Sequence, residues 1–160
     1  VEQALQEGPD IGPVGDEVQL RQDLDNLEVA RGQGVNLRFG GEVLRRETQG
    51  HFLSPALITD TTNYMRINRE EVFGPVASVI RVRDYEEALA VANDTDFGLT
   101  AGICTGSLKY ASHFKRHAQA GMVMVNLPTA GVDFHVPFRE QAPAAREAYT
   151  TVKTAYTNPS

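Results

Sequence analysis

The run Val76-Ala77-Ser78-Val79-Ile80-Arg81-Val82 is the strongest strand signal in the chain, and the elements downstream of it set the fold class. Asp84 and Glu87 stand in D-x-x-E spacing, a variant of the helix capping box. Tyr85, Ala88, Leu89 and Ala92 then form one apolar stripe. Thr100 to Thr105 reads as a second strand. Ser107 caps a further helix, with Leu108, Ala111, Phe114 and Ala118 on one face and Gly121 as its stop. Met122 to Val125 is the next strand. Strands alternating with helices in this way predict an α/β fold, a parallel-type sheet with crossover helices.

Upstream, Leu20, Leu24, Leu27 and Arg31 recur at helical spacing, with Asp16 as N-cap and Gly32 or Gly34 as stop. Val35 to Phe39 alternates as a short strand before the Gly40-Gly41 turn. Phe52 to Ile58 is expected as a strand at a sheet edge, because it contains Pro55. Residues 126–143 carry few regular signals, and Tyr149 to Tyr156 reads as a final strand. The expected division is a main domain over 1–146 and a C-terminal strand or arm over 147–160.

Composition narrows the class. A chain of 160 residues with 41% hydrophobic content can bury a core without staples. One Cys excludes an internal disulfide framework and a multi-Cys metal cluster. A net charge of −6 and a pI near 5.2 argue against an electrostatic nucleic-acid binder. There is no basic region followed by an apolar run at Val1 to Leu5, and no long apolar span. A cytoplasmic protein that touches neither membrane nor nucleic acid is expected, and the missing initiator Met leads us to expect a trimmed chain.

Few residues offer chemistry by type alone. Cys104 is a thiol inside an apolar run, expected as a buried small hydrophobe rather than a nucleophile. His113 and His117 share a helix face, but a third ligand and an intervening Glu are missing, so no metal site is assigned. Glu70 and Glu71 are adjacent, which suits solvated charges better than an acid/base pair. Their position before Gly74-Pro75 marks a structured loop leading into the best strand, a place where ligands are often held. The dinucleotide fingerprint G-x-G-x-x-G, the P-loop and the G-x-S-x-G elbow are all absent.

The same loop carries a resemblance. Arg69-Glu70-Glu71-Val72-Phe73-Gly74-Pro75-Val76 resembles the E-E-[IV]-F-G-P-V segment of NAD(P)-dependent aldehyde dehydrogenases. Four further segments agree in order: Ile11 to Val14, Gly50 to Leu57, Ala92 to Leu99 (Ala-Asn-Asp-Thr-Asp-Phe-Gly-Leu), and Ala120 to Asn126 (Ala-Gly-Met-Val-Met-Val-Asn). Asn126 to Phe138 and Tyr149 to Tyr156 resemble the branch that oxidises 2-oxoglutarate semialdehyde, also called 2,5-dioxopentanoate.

The resemblance implies a chemistry. In this family a Cys thiolate attacks an aldehyde, hydride passes to the nicotinamide, and water releases the acid. The Glu matching Glu71 holds the nicotinamide ribose hydroxyls, a task suited to a carboxylate that accepts two hydrogen bonds. The Phe matching Phe73 packs beside the nicotinamide. Pro128, Thr129, Ala130, Gly131, Val132 and Phe138 would line the aldehyde tunnel. The tail strand of family members reaches into a neighbouring subunit, which implies a homo-oligomer.

The departures matter equally. The match is to the C-terminal part of the family's catalytic domain. The nucleophilic Cys, the general base and the Rossmann-like domain would lie upstream, and Cys104 matches none of them. After Pro137-Phe138 the family's glycine-rich turn is missing, and Arg139-Glu140-Gln141 comes directly. The expectation is a partial aldehyde dehydrogenase, inactive alone and without useful NAD or NADP affinity of its own. Its expected partners are an upstream dehydrogenase portion or further copies of itself. The alternative is a non-catalytic oligomerising module derived from that fold.

Overall fold

The computed structural model describes residues 11–130 and the strand at 154–157. It divides into two compact units, residues 1–81 and 82–160.

The first unit opens with α1 (Glu17–Gly32). The Asp16 side chain accepts from the Gln19 amide at 2.8 Å, satisfying one of the orphan donors of the first turn. Next come β1 (Asn36–Phe39), β2 (Val43–Leu44), β3 (Phe52–Leu53), β4 (Ala56–Thr61), the single-turn α2 (Arg66–Arg69) and β5 (Val76–Ile80). The main sheet runs β1-β4-β5, with β1 antiparallel and β5 parallel to β4, while β2 and β3 form a small antiparallel ladder. Leu27 and Ala30 of α1 are buried with Leu53, Ala56, Ile58 and Ile67. Full burial of a side chain such as Leu27 or Ile58 contributes about 2 kcal/mol each.

Pro55 behaves differently from expectation. It divides the predicted strand into β3 and β4, and β4 is the central strand of its sheet rather than an edge. Proline has no N–H to give to a ladder, so pairing resumes at Ala56, whose amide donates to the Pro75 carbonyl at 2.8 Å. Opposite this break the chain turns through Gly40 and Gly41 at φ +72° and +78°. A Cβ on Gly40 would land on the Pro55 carbonyl, so position 40 must be glycine for space as well as for φ.

The second unit contains α3 (Tyr85–Asn93), β6 (Thr100–Ile103), α4 (Leu108–His117), β7 (Met122–Val125) and β8 (Thr154–Thr157). The strands lie in the order β6-β7-β8, all parallel. All four β7 residues are buried. Phe114, Ala118, Ala120 and Val123 form the core, with Tyr85, Leu89, Ala101 and Ile103 packed against it. Asp84 caps α3 by accepting from the Glu87 amide at 2.8 Å. Glu87 reaches back to the Arg83 amide at 2.7 Å, one residue beyond the usual reciprocal bond of a capping box.

The α/β class therefore holds, with sheets of mixed direction. The parallel succession is interrupted once: β5 bonds to β4 in the first unit's sheet, and the strand–helix–strand unit is β6-α4-β7. Two details of α4 depart from the pattern reading. Leu108 is 78% exposed because it occupies the open first turn. The helix stops at His117 rather than Gly121, since the Asn93 side chain takes hold of its end, donating to the His117 carbonyl at 2.9 Å and accepting from the Gln119 amide at 2.7 Å. The predicted tail strand is present at Thr154–Thr157, and the remainder of that prediction and the 146/147 boundary lie outside the described residues.

Candidate functional site

The loop after α2 belongs to the first unit. Glu70 ends α2, with its amide donating to the Arg66 carbonyl at 3.0 Å and its carboxylate paired with the Arg66 guanidinium at 2.7 Å. Both side chains of that pair are half exposed, so it adds little stability. Glu71 is exposed and Phe73 is 75% exposed. Phe73 has φ +56°, a left-handed backbone that a bulky residue rarely adopts. The Val76 amide then donates to the Gly74 carbonyl at 2.8 Å, tightening the approach to β5. The loop therefore offers a carboxylate and an aromatic ring two residues apart, both to solvent.

Two residues of α1 hold the loop from beneath. The Gln19 side-chain amide donates to the Val72 carbonyl and to Asp23 Oδ1, each at 2.7 Å. Asp23 is completely buried, and its Oδ2 has no partner. Burial pushes the Asp23 carboxyl above the ordinary carboxylate range, against the opposing pull of the Gln19 hydrogen bond. The carboxylate fills the space where a Cβ on Gly74 would stand. Neither Gln19 nor Asp23 was singled out by sequence reasoning. The available signal was Asp23 itself, a charged residue inside the apolar stripe of Leu20, Leu24 and Leu27.

The second unit carries the other predicted lining. Pro128, Thr129 and Ala130 are exposed just beyond β7. Asn126 positions them at φ +55°. Its amide group bonds the Thr105 backbone twice, accepting from the Thr105 N–H at 2.8 Å and donating to the Thr105 carbonyl at 3.0 Å. A Cβ on Gly102 would come within 3.1 Å of the Thr129 methyl, so glycine there lets the loop settle on β6. The carboxyl edge of the parallel β6–β7 pair is where α/β sheets hold ligands. Gly131, Val132 and Phe138 lie outside the described residues.

Cys104 is exposed, not buried, because β6 ends at Ile103 and the thiol stands in the loop beyond. His113 and His117 stack with ring centroids 3.9 Å apart on the exposed face of α4. His113 Nδ1 is 2.9 Å from the Tyr85 hydroxyl, and His117 Nδ1 is 2.8 Å from the His113 carbonyl. No group of three potential metal ligands occurs among the described residues. A pocket of about 280 Å³ at the start of β6 is lined by Thr95, Phe97, Leu99, Thr100, Gln119 and their small neighbours, with no charged side chain. Among the described residues, no helix is long and apolar enough to cross a membrane.

Comparison with known proteins agrees with the loop's motif. A family model described as the aldehyde dehydrogenase family matches residues 1–154. The alpha-ketoglutarate semialdehyde dehydrogenase of Haloferax volcanii is 41% identical over 171 residues, covering 96% of this chain and 36% of that protein. The 2,5-dioxopentanoate dehydrogenase of Saccharolobus solfataricus is 36% identical over 161 residues, covering 94% of this chain and 33% of that protein. The solved 1-pyrroline-5-carboxylate dehydrogenase from Thermus with bound NAD superposes with a TM-score of 0.80 at 38% identity, over 86% of this chain and 26% of that one. An aldehyde dehydrogenase from Pseudomonas aeruginosa gives a TM-score of 0.78 at 38% identity, over 83% of this chain and 27% of that one. The chain thus spans about a third of the length of the curated relatives it matches. A match over nearly all its residues, joined to a fold shared with solved members, places this chain in the aldehyde dehydrogenase family.

Proposed function

We propose that this chain supplies the nicotinamide-facing loop and part of the aldehyde-lining wall of an NAD(P)-dependent aldehyde dehydrogenase that acts on 2-oxoglutarate semialdehyde. One observation supports this most: Glu71 and Phe73 both stand open to solvent on a single short loop that is itself anchored to α1. The substrate assignment draws on the two semialdehyde and dioxopentanoate dehydrogenases among the relatives.

The residues present fit one end of the cofactor. An exposed carboxylate suits a ribose diol, since it accepts two hydrogen bonds, and an exposed ring suits the flat face of a nicotinamide. When bound, NAD(P) supplies the hydride acceptor. Glu71 would hold the ribose, and Phe73 would fix the plane of the ring. Pro128, Thr129 and Ala130, with Gly131, Val132 and Phe138, would shape the channel along which the aldehyde approaches. Covalent aldehyde oxidation also needs a thiolate and a base close to the carbonyl carbon. Cys104 is a free, exposed thiol just beyond the end of β6, and we assign it no catalytic part.

The chain by itself is therefore expected to be inactive and to hold NAD or NADP poorly. The test is direct. The purified 160-residue chain, given 2-oxoglutarate semialdehyde with NAD or NADP, should form no reduced cofactor. A longer protein joining this segment to a family-type upstream portion should form it. Turnover by the short chain, or oxidation of other aldehydes in preference by the longer protein, overturns the reading.

A second reading draws on β8. Its parallel pairing with β7, from Met122↔Thr154 to Val125↔Thr157, is the kind of strand addition by which one copy engages another. Exchange of this strand between copies would make the chain a homo-oligomer. Sedimentation showing a monomer at high concentration counts against it.

A further inference from the structure

Building on the assignment of Glu71 and Phe73 to the nicotinamide end, we propose that Gln19 and Asp23 of α1 are positioning residues that set the presentation of this loop, acting through Val72 and Gly74.

Three independent features of the geometry converge on the loop. The first is a hydrogen-bond bridge. Both N–H bonds of one Gln19 amide are used, one on Asp23 and one on the Val72 carbonyl, the residue between Glu71 and Phe73. A single side-chain nitrogen thereby ties the loop backbone to the helix. The second is a steric stop. The Asp23 carboxylate occupies the space beside Gly74 into which a side chain would project, so backbone and carboxylate are in close contact. The third is the backbone that these contacts bracket. Phe73 lies between Val72 and Gly74 at φ +56°, a conformation that persists in a bulky residue only where the surroundings impose it.

The choice of residue is also informative. A helix position so deeply buried is normally apolar, and Asp23 is completely enclosed with one oxygen unpaired. An Asp there adds nothing that Leu would not add to the core. It does give Gln19 a fixed acceptor, and so orients the other Gln19 N–H toward Val72. Leu20, Leu24 and Val72 pack around the core formed by Leu27 and its neighbours, so the helix is a rigid base for the bridge. The role assigned to the bridge is indirect. The bridge acts on the angle at which Glu71 and Phe73 leave the loop.

The experiment has two arms. In the 160-residue chain, amide hydrogen exchange is followed over residues 70–76 for the wild type, Gln19→Met and Asp23→Asn. Gln19→Met keeps the side-chain length and removes both donors. It should speed exchange in the loop by about tenfold while β4 and β7 stay protected. Asp23→Asn keeps an oxygen acceptor of the same shape and should leave the loop near wild type. Loop exchange unchanged in Gln19→Met, or a uniform loosening of the whole first unit, overturns the proposal. In the longer active protein, Gln19→Met should raise KM for NAD(P) by about tenfold with a much smaller change in KM for the aldehyde. A loosened loop with unchanged cofactor KM would instead reject the cofactor role of Glu71 and Phe73 and leave the bridge standing. A rise in both KM values alike rejects positioning.

Discussion

Gly74 has no room for a side chain because the buried carboxylate of Asp23 stands where its Cβ would be. The obstruction comes from an enclosed group on a packed helix, not from the end of a mobile side chain. Gly74→Ala should therefore destabilise the first unit by about 2–4 kcal/mol. Gly106 has open space around it and no left-handed φ, so Gly106→Ala should stay within about 0.5 kcal/mol of wild type. Urea unfolding of the two variants measures the contrast, and equal stabilities would contradict the packing described.

Asp23 also predicts a pH dependence. Its folded pKa is raised, chiefly by burial. The neutral acid is thus the form that folding favours, and the stability it contributes is complete below the ordinary Asp pKa. That contribution is lost as pH rises through the raised folded value, and it stays flat above it. Asp23→Asn cannot ionise. The stability of wild type relative to Asp23→Asn should fall as pH climbs through this window, with the variant at least as stable at neutral pH. Parallel unfolding curves at all pH values would contradict the direction of the shift.

At the start of α3 the sign is reversed. Glu87 is held below the usual carboxylate range, first by the Arg83 backbone N–H and then by the Arg83 side chain. Its contribution is present above the ordinary Glu pKa and lost as pH falls through the lowered value. Glu87→Gln should flatten the acid side of the unfolding profile. Asp84→Ala, which removes the cap itself, should cost about 1 kcal/mol at neutral pH, with Asp84→Ser recovering most of it.

Asn126 joins two loops through both ends of its amide group. Asn126→Ala removes two hydrogen bonds to the Thr105 backbone and places Ala at a left-handed φ, costing about 2–3 kcal/mol. Asn126→Gly accepts the φ but not the bonds, and should cost less. Faster exchange at the Thr105 amide should accompany both variants, since that N–H loses its acceptor.

Local chemistry was readable where one element decides its own boundary. Asp16 and Asp84 cap their helices as their spacing implies, and the Val-Met run at β7 is buried throughout. Reading failed where a distant residue decides. The strand predicted through Pro55 breaks there, and pairing resumes at Ala56 against the distant Pro75 at the entry to β5, while α4 ends early because Asn93 reaches its last carbonyl. Cys104 has an apolar neighbourhood in sequence but stands past the last hydrogen-bonded pair of β6, Ile103 with Val125. At the candidate site, Glu71 and Phe73 were proposed from their motif. Gln19 and Asp23 were not, because a helical stripe shows which face is buried and not which loop lies over it.

The exposure of Cys104 has a practical consequence. It is the sole cysteine of the chain, so a thiol-specific dye or spin label will attach at one defined place. That place adjoins Thr105, whose backbone Asn126 grips, and a reporter there will sense movement of the Pro128–Ala130 segment without any engineered attachment point.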